Sequence, residues 1–352
     1  MISESSCSLS HIPRWHGVRY FLNTMKSRPA VVRIWKMRIA LVAIAAALQI
    51  ACGDSERTGV STFAKDGSAD DTNSVARKVG EIEDLHAPES VKYDSLQDIF
   101  FVSNMQGLGS DKDNHGFILR VSAADYREMS IFAQSGKSGV DLNAPKGMAI
   151  QGDTLWVADI DVLRGFNRLT GAPVATVDLA PSHAVLLNDV AVGPDGALYI
   201  TDTGIIMSEK GVLHPGGDKI YRVQGRSIET LSLAPPVTWP NGITWDAHDK
   251  RWLVVTFDPF ASELTTFAQG NPARTRLALG RGRFDGVEVL SDGAILVSGW
   301  ADSSVHRFAH GRDDRIIRHL SQPADIGVDT RRGRVAIPLG MVDRVQFWEL
   351  AR

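Results

Sequence analysis

Residues 240–257 read PNGITWDAHDKRWLVVTF. A turn-forming P-N-G opens onto a short run that alternates apolar and polar residues. A polar turn and a second apolar run follow, which is the pattern of two antiparallel strands. The pattern returns five times, as PESVKYDSLQDIFFVSN from Pro88, PKGMAIQGDTLWVAD from Pro145, LNDVAVGPDGALYITD from Leu187, FDGVEVLSDGAILVSGW from Phe284 and PADIGVDTRRGRVAIPL from Pro323. Aligned on the residue after the opening Pro or its equivalent, the copies start at 89, 146, 188, 241, 285 and 324, with spacings of 57, 42, 53, 44 and 39. Repeats of this length, built of strands without a helical period, predict an all-β chain folded as a six-bladed β-propeller. A two-sheet sandwich also uses many short strands, but sixfold recurrence of one motif points away from it, and closing a ring removes the open edges of a long sheet. Third strands are expected at Phe117 (FILRV), Leu163 (LRGFNRL), Lys219 (KIYRV), Ser304 (SVHRF) and Asp343 (DRVQFWEL), giving about four strands per blade. Either the segment before Glu89 or the C-terminal strand completes a shared blade.

Upstream of the repeats the composition changes twice. Residues 1–38 carry seven Lys or Arg and only Glu4, and Ile39–Ala51 is a run of 13 residues, apolar except for Gln49, that ends before Cys52. The run is short for a bilayer span. Basic flank, short apolar stretch and small residue before a cut are the parts of an export signal. LQIAC resembles the bacterial lipoprotein signal, in which the cysteine is lipidated, although Gln49 stands where that pattern usually has Leu. The expectation is an export segment over residues 1–52 with lipidation at Cys52, Met37-Arg38 serving as the true translation start. Membrane contact is then through the lipid alone, and the chain is extracytoplasmic, in the periplasm or at the cell surface. Residues 53–85 are polar and read as a flexible tether, leaving 86–352 for the propeller. The only cysteines are Cys7 and Cys52, so a processed chain has no disulfide and relies on burial and hydrogen bonding. Residues 39–352 carry 31 basic against 40 acidic side chains, a sign unsuited to nucleic acid and suited to a hard cation. No obligate protein partner is evident.

The column at the head of the first strands carries the chemistry: Glu89, Lys146, Asn188, Asn241, Asp285 and Ala324. First strands line a propeller's channel, so these positions converge. Four of the six are oxygen donors, two carboxylates and two amides, which suit a divalent Ca²⁺ and not zinc. Each alone reads as a turn former; four donors at one repeat position are more than turns require.

The motifs PES at Glu89, LND at Asn188, PNG at Asn241 and FDG at Asp285 resemble the senescence-marker-protein/gluconolactonase/LRE family, with paraoxonases and diisopropylfluorophosphatase as related calcium propellers. The resemblance covers about residues 87–350. It implies a catalytic divalent metal held by Glu89, Asn188, Asn241 and Asp285, and hydrolysis of a small-molecule lactone or ester. Sugar lactonases of the family commonly carry Arg two residues before the third-blade Asn; that position is Leu186 here, which points away from a highly hydroxylated sugar lactone. Asp285 is the expected general base, accepting a proton from a metal-bound water or attacking directly.

Further substrate contacts are expected at Lys146, for a carboxylate, at His183, as a second proton carrier, and at Trp239 and Trp300, as pocket walls. For Lys146 and His183 the simpler readings are a side chain turned to the rim and a solvated loop histidine. DKDNHG from Asp111 lacks the Glu that closes a calcium loop and reads as a solvated loop at the mouth. A non-catalytic ligand- or protein-binding propeller is the alternative function, since fold does not dictate activity. A lyase or isomerase would need a channel histidine that the sequence does not identify.

Overall fold

The computed structural model describes residues 75–351. Six four-stranded antiparallel sheets are arranged as blades, which span 88–134, 145–178, 187–230, 240–279 and 284–317, with the sixth assembled from both ends of the described chain. In that sixth blade Gly327–Asp329, Arg334–Leu339 and Arg344–Leu350 are joined by Ala76–Ile82, paired antiparallel from Ala76 opposite Leu350 to Ile82 opposite Val345. The N-terminal segment is therefore the one that closes the ring. This corrects the expected boundary: the propeller begins at Ala76, ten residues inside the stretch read as tether. The correction has a sequence basis in the strand ARKVGEI, whose Ala76 and Ile82 are buried at its two ends. Their pattern is too weak to register without a partner strand. Cys52, Met37 and the expected export segment lie outside the described residues.

Third strands form at Phe117–Ser122, Val162–Asn167, Lys219–Gln224, Ser304–Ala309 and Arg344–Leu350, and also at Glu263–Ala268 in the fourth blade, where none was expected. ELTTFA carries two threonines on a strand that is only partly apolar, so its alternation is faint.

Apolar side chains from facing sheets interdigitate between neighbouring blades. Phe101 and Ile118 of blade one meet Met148 and Leu155 of blade two; Tyr199 and Ile220 of blade three meet Trp252 and Val254 of blade four. Trp252 has its ring 4.0 Å from Tyr199 and 5.3 Å from Trp245, Trp156 packs in the layer between blades two and three, and Trp348 in the layer between blades five and six. At the seam, Phe347 stacks on Tyr126 at 3.8 Å, tying the last blade to the first. A polar groove of about 810 Å³, counting space open to solvent, lies between blades three and four; its lining includes Tyr199, Arg222 and Gln269 but none of the column residues.

Candidate metal centre

The register of each inner strand slips at the same place. In blades one to five the pairing skips between Pro88 and Val91, Pro145 and Met148, Leu187 and Val190, Pro240 and Ile243, and Phe284 and Val287. The two residues inside each irregularity leave the ladder, which lets a side chain be re-aimed. They are the column residue and the one after it. Backbone N–H groups freed in this way find side-chain acceptors: Ser90 donates to Ser103 Oγ at 2.9 Å, Asp189 to Thr201 Oγ1 at 3.0 Å and Gly286 to Ser298 Oγ at 2.8 Å. These hydroxyls sit on second strands that otherwise read as apolar, so no motif marks them.

The glycine after the column residue has a steric cause. A Cβ on Gly147 would lie 2.3 Å from Asp189 Oδ1, one on Gly242 2.5 Å from the Asp285 carbonyl, and one on Gly286 2.6 Å from the Ile326 nitrogen. Inner strands of adjacent blades approach too closely there for any side chain. The G of P-N-G and F-D-G is thus a packing requirement of the channel wall.

Glu89, Asn188, Asn241 and Asp285 are all buried, between 3 % and 8 % exposed. Glu89 Oε2, Asn188 Oδ1, Asn241 Oδ1 and Asp285 Oδ1 are buried and accept no hydrogen bond. Unpartnered buried acceptors are costly, and here four of them come from one repeat position. Asn188 is held with its oxygen free because its Nδ2 donates to Thr203 Oγ1 at 3.0 Å, while Thr203 Oγ1 donates to the Pro240 carbonyl at 2.8 Å. Among the described residues no three His, Cys, Asp or Glu side chains group as a metal site; this set joins two carboxylates to two amides, a donor chemistry that fits a hard divalent cation.

Electrostatics agree with that fit. Burial pushes the Glu89 carboxyl up to about 7, opposed by Lys146 and reinforced by Asp189. Burial, then the Glu89 charge, holds Asp285 well above the ordinary carboxylate range, again opposed by Lys146. The Trp300 indole N–H also draws Asp285 downward, although it falls short of full hydrogen-bond geometry and has no other partner. Without a cation, both groups hold their protons to higher pH than an ordinary carboxyl does.

Lys146 does not turn to the rim. It is buried at 2 % exposure, it faces the Glu89 and Asp285 charges, and its Nζ approaches the Met105 thioether at 2.9 Å. Burial lowers its affinity for the proton and those carboxylates raise it, with the net effect downward. Ala324, the sixth column position, is buried just ahead of its blade's inner strand. Below the column, Asp189 and Asp325 are buried beside a Lys92–Glu288 ion pair at 2.9 Å that links blades one and five.

The mouth is roofed. Ala144, Ile160, Leu186 and Ile205 form a buried apolar cluster, against which Met105, Met207 and Trp239 pack. Met207 belongs to a hairpin, Ile206–Ser208 with Gly211–Leu213, that leaves blade three and reaches blade one, where the Met207 N–H donates to Ser110 Oγ at 2.9 Å. Trp239 packs in this roof, stacked on His214 at 4.0 Å, and Trp300 contacts Phe257 edge-on at 4.9 Å. His183 is exposed on the loop before blade three, and its carbonyl accepts from Lys219 Nζ; it is not brought to the site. The histidine near the mouth is His214, 2.8 Å from Asp218 Oδ1, which no motif marked. The segment from Asp111 is a largely exposed loop whose Lys112 pairs with Asp161 at 2.5 Å.

A ring of six blades with oxygen donors gathered from four of them defines a propeller built around a polar channel under an apolar roof. The chain belongs to the SMP-30/Gluconolactonase/LRE family, whose sequence pattern matches residues 114–328. It is similar in fold to a gluconolactonase from Xanthomonas campestris (17 % identity, TM-score 0.58, 76 % of this chain and 88 % of that one). It is also similar to a Streptomyces coelicolor aldose sugar dehydrogenase in its PQQ-bound form (16 %, 0.57, 78 % and 98 %) and to virginiamycin B lyase from Staphylococcus aureus (12 %, 0.52, 78 % and 100 %). At these identities the likeness is one of fold, which serves three chemistries. No curated protein matches the sequence.

Proposed function

We propose that this chain is a divalent-metal-dependent hydrolase of lactones or related esters, its ion, Ca²⁺, held by Glu89, Asn188, Asn241 and Asp285. The observation that carries the reading is the set of four buried, unpartnered oxygens at one repeat position of four blades. When bound, the ion supplies Lewis-acid polarisation of a carbonyl and a lowered pKa for an attacking water. The chain's own residues do the rest. Asp285, ionised once its charge is matched, takes the proton from the water that attacks the ester carbon. Thr203 keeps the Asn188 amide oxygen turned inward. Lys146 places an ammonium near the two carboxylates, where it stabilises negative charge developing on the substrate oxygen. The apolar roof of Leu186, Ile205, Met207 and Trp239 keeps bulk water from the reacting group.

The family and the gluconolactonase fold support lactonase-type chemistry; Leu186, fully buried in apolar contacts where sugar lactonases commonly have Arg, argues against a polyol lactone. We also propose that the basic stretch, the apolar run and Cys52 place the protein outside the cytoplasm on a lipid anchor, which mass spectrometry of the membrane-extracted chain tests at Cys52.

The deciding experiment is metal content and lactone hydrolysis of the full chain beside Asp285→Ala. About one equivalent of calcium with turnover, both lost in the variant, upholds the hydrolase. Metal without turnover makes this a binding propeller. No metal at all overturns the ligand assignment.

A further inference from the structure

A second ring lies two residues ahead of the column: Ala87, Ala144, Leu186, Trp239, Arg283 and Gln322. Four of these share one left-handed backbone conformation, with φ of 50° at Ala87, 53° at Trp239, 57° at Arg283 and 51° at Gln322. Such φ values are uncommon outside glycine, and their recurrence means that the chain enters these blades by the same turn, so the side chains leave it in the same direction. Trp239 shows where that direction leads, into the roof of the channel mouth.

The ring is chemically divided. On blades two to four it is apolar, since Ala144, Leu186 and Trp239 belong to the roof cluster. On blades five and six it is polar and uncommitted. Arg283 is half-buried, and among the described residues its guanidinium makes no ion pair or hydrogen bond; burial alone acts on it. Its backbone is pinned on both sides, the N–H donating to the Asp258 carbonyl at 2.8 Å and the carbonyl accepting from Trp300 at 3.0 Å. On blade six, Gln322 Oε1 is buried and unpartnered, an acceptor that suits a hydroxyl or N–H of a ligand. Across the mouth, buried Lys146 has only a thioether within hydrogen-bond reach. Once a divalent ion takes up the charges of Glu89 and Asp285, Arg283 has no counter-charge from the protein, and Lys146 keeps only the field of Asp159, whose carboxylate is already paired with Arg164 at 2.6 Å. A half-buried guanidinium is satisfied best by a planar carboxylate, which it binds through two parallel N–H donors.

We propose that Arg283 is a carboxylate-binding subsite, and that the substrate is a carboxylate-bearing lactone whose remaining carbons lie against Leu186 and Trp239. The assignment deepens the hydrolase reading and rests on it for the lactone, though not for the anion. It places the specificity-determining cation on blade five.

The test uses the calcium-loaded full chain with two matched compounds, 5-oxotetrahydrofuran-2-carboxylate and its neutral carboxamide, and with glutarate as a ligand that cannot be hydrolysed. The wild type should favour the carboxylate by about thirtyfold in kcat/KM, and Arg283→Gln should remove most of that preference through KM. Calorimetry should show glutarate binding that weakens about tenfold or more in the variant. Equal kcat/KM for the two lactones overturns the subsite while leaving the hydrolase standing. Glutarate binding that depends on Arg283 without hydrolysis of either lactone upholds the subsite and removes the hydrolase reading. Glutarate binding indifferent to Arg283 overturns the subsite whatever the lactones do.

Discussion

Ser90 Oγ donates a hydrogen bond to Asp325 Oδ2 at 2.5 Å, joining residues 235 positions apart at the wall of the channel. The same pair forms a parallel bridge, and the Asp325 N–H donates to the Glu89 carbonyl at 3.0 Å. Blades one and six are therefore stitched directly at the inner end of the seam, while at the outer edge Ala76–Ile82, the strand whose chain leads on into blade one, completes blade six by pairing with Arg344–Leu350. Ser90→Ala leaves a buried carboxyl without its donor and should cost about 1–3 kcal/mol, read as a lower urea midpoint. A midpoint equal to the wild type's would show that the inner stitch contributes nothing to closure.

Gly242 tests the packing of the channel wall. Alanine there puts a Cβ 2.5 Å from the Asp285 carbonyl and 2.9 Å from the Val287 nitrogen, both backbone atoms on a strand held in its blade. Overpacking of this kind should cost about 3 kcal/mol or more and displace the Asp285 side chain. Chemical denaturation and calcium titration of Gly242→Ala should change together; a variant as stable as the wild type would mean that the inner strands can move apart.

The metal-free protein should lose stability as pH rises. Burial raises Glu89 from 4.5 and Asp189 from 3.8, each to about 7. Groups whose folded pKa is raised contribute their full stability below the unfolded values and lose it as pH passes through the folded ones. The midpoint in chelator should therefore fall between about pH 5 and pH 8, and added Ca²⁺ should restore it at the upper end. Thermal scans across that range check the sign, and a slope of opposite sign would contradict the burial of these carboxyls.

Asp285→Asn separates binding from chemistry. The amide keeps one oxygen donor, so metal is expected to remain, while the loss of a proton acceptor should lower kcat about a hundredfold or more. Activity that survives with the metal still bound, measured on the same sample by elemental analysis and lactone turnover, removes Asp285 from the base role.

Lys146→Met removes the ammonium that faces Glu89 and Asp285. An arriving cation then meets less repulsion, and calcium affinity should tighten by about tenfold at the effective dielectric of such sites. A chelator-competition titration reads this directly. Unchanged affinity would show that the charge of Lys146 is not felt at the ligand oxygens.

The oxygen-donor column was legible because each of its members sits at a fixed place in a recurring motif, and a repeat converts local sequence into spatial convergence. Lys146 was harder to place. Its neighbours in sequence, Pro145 and Gly147, do not say whether a long side chain leaves for the rim or folds over the channel; the Met105 thioether packed on its Nζ comes from another blade. His183 and His214 show the same difficulty in reverse. Proximity in sequence to Asn188 favoured His183, whereas a hairpin that crosses the mouth and an Asp218 contact bring His214 to Trp239. Thr203 was invisible because its contribution is to orient Asn188 from a neighbouring strand.

What the sequence determined alone is the modular part: strand pairs and turns repeated six times, and a column of oxygen-bearing side chains at one repeat position. These are properties of short segments, set by periodicity and local sterics. Tertiary structure decided which segment closes the ring, which cations are left without partners, and which loops roof the mouth. Each of those depends on side chains from blades far apart in the chain, and their burial and pairing exist only once the sixth blade has been completed by both ends of the propeller.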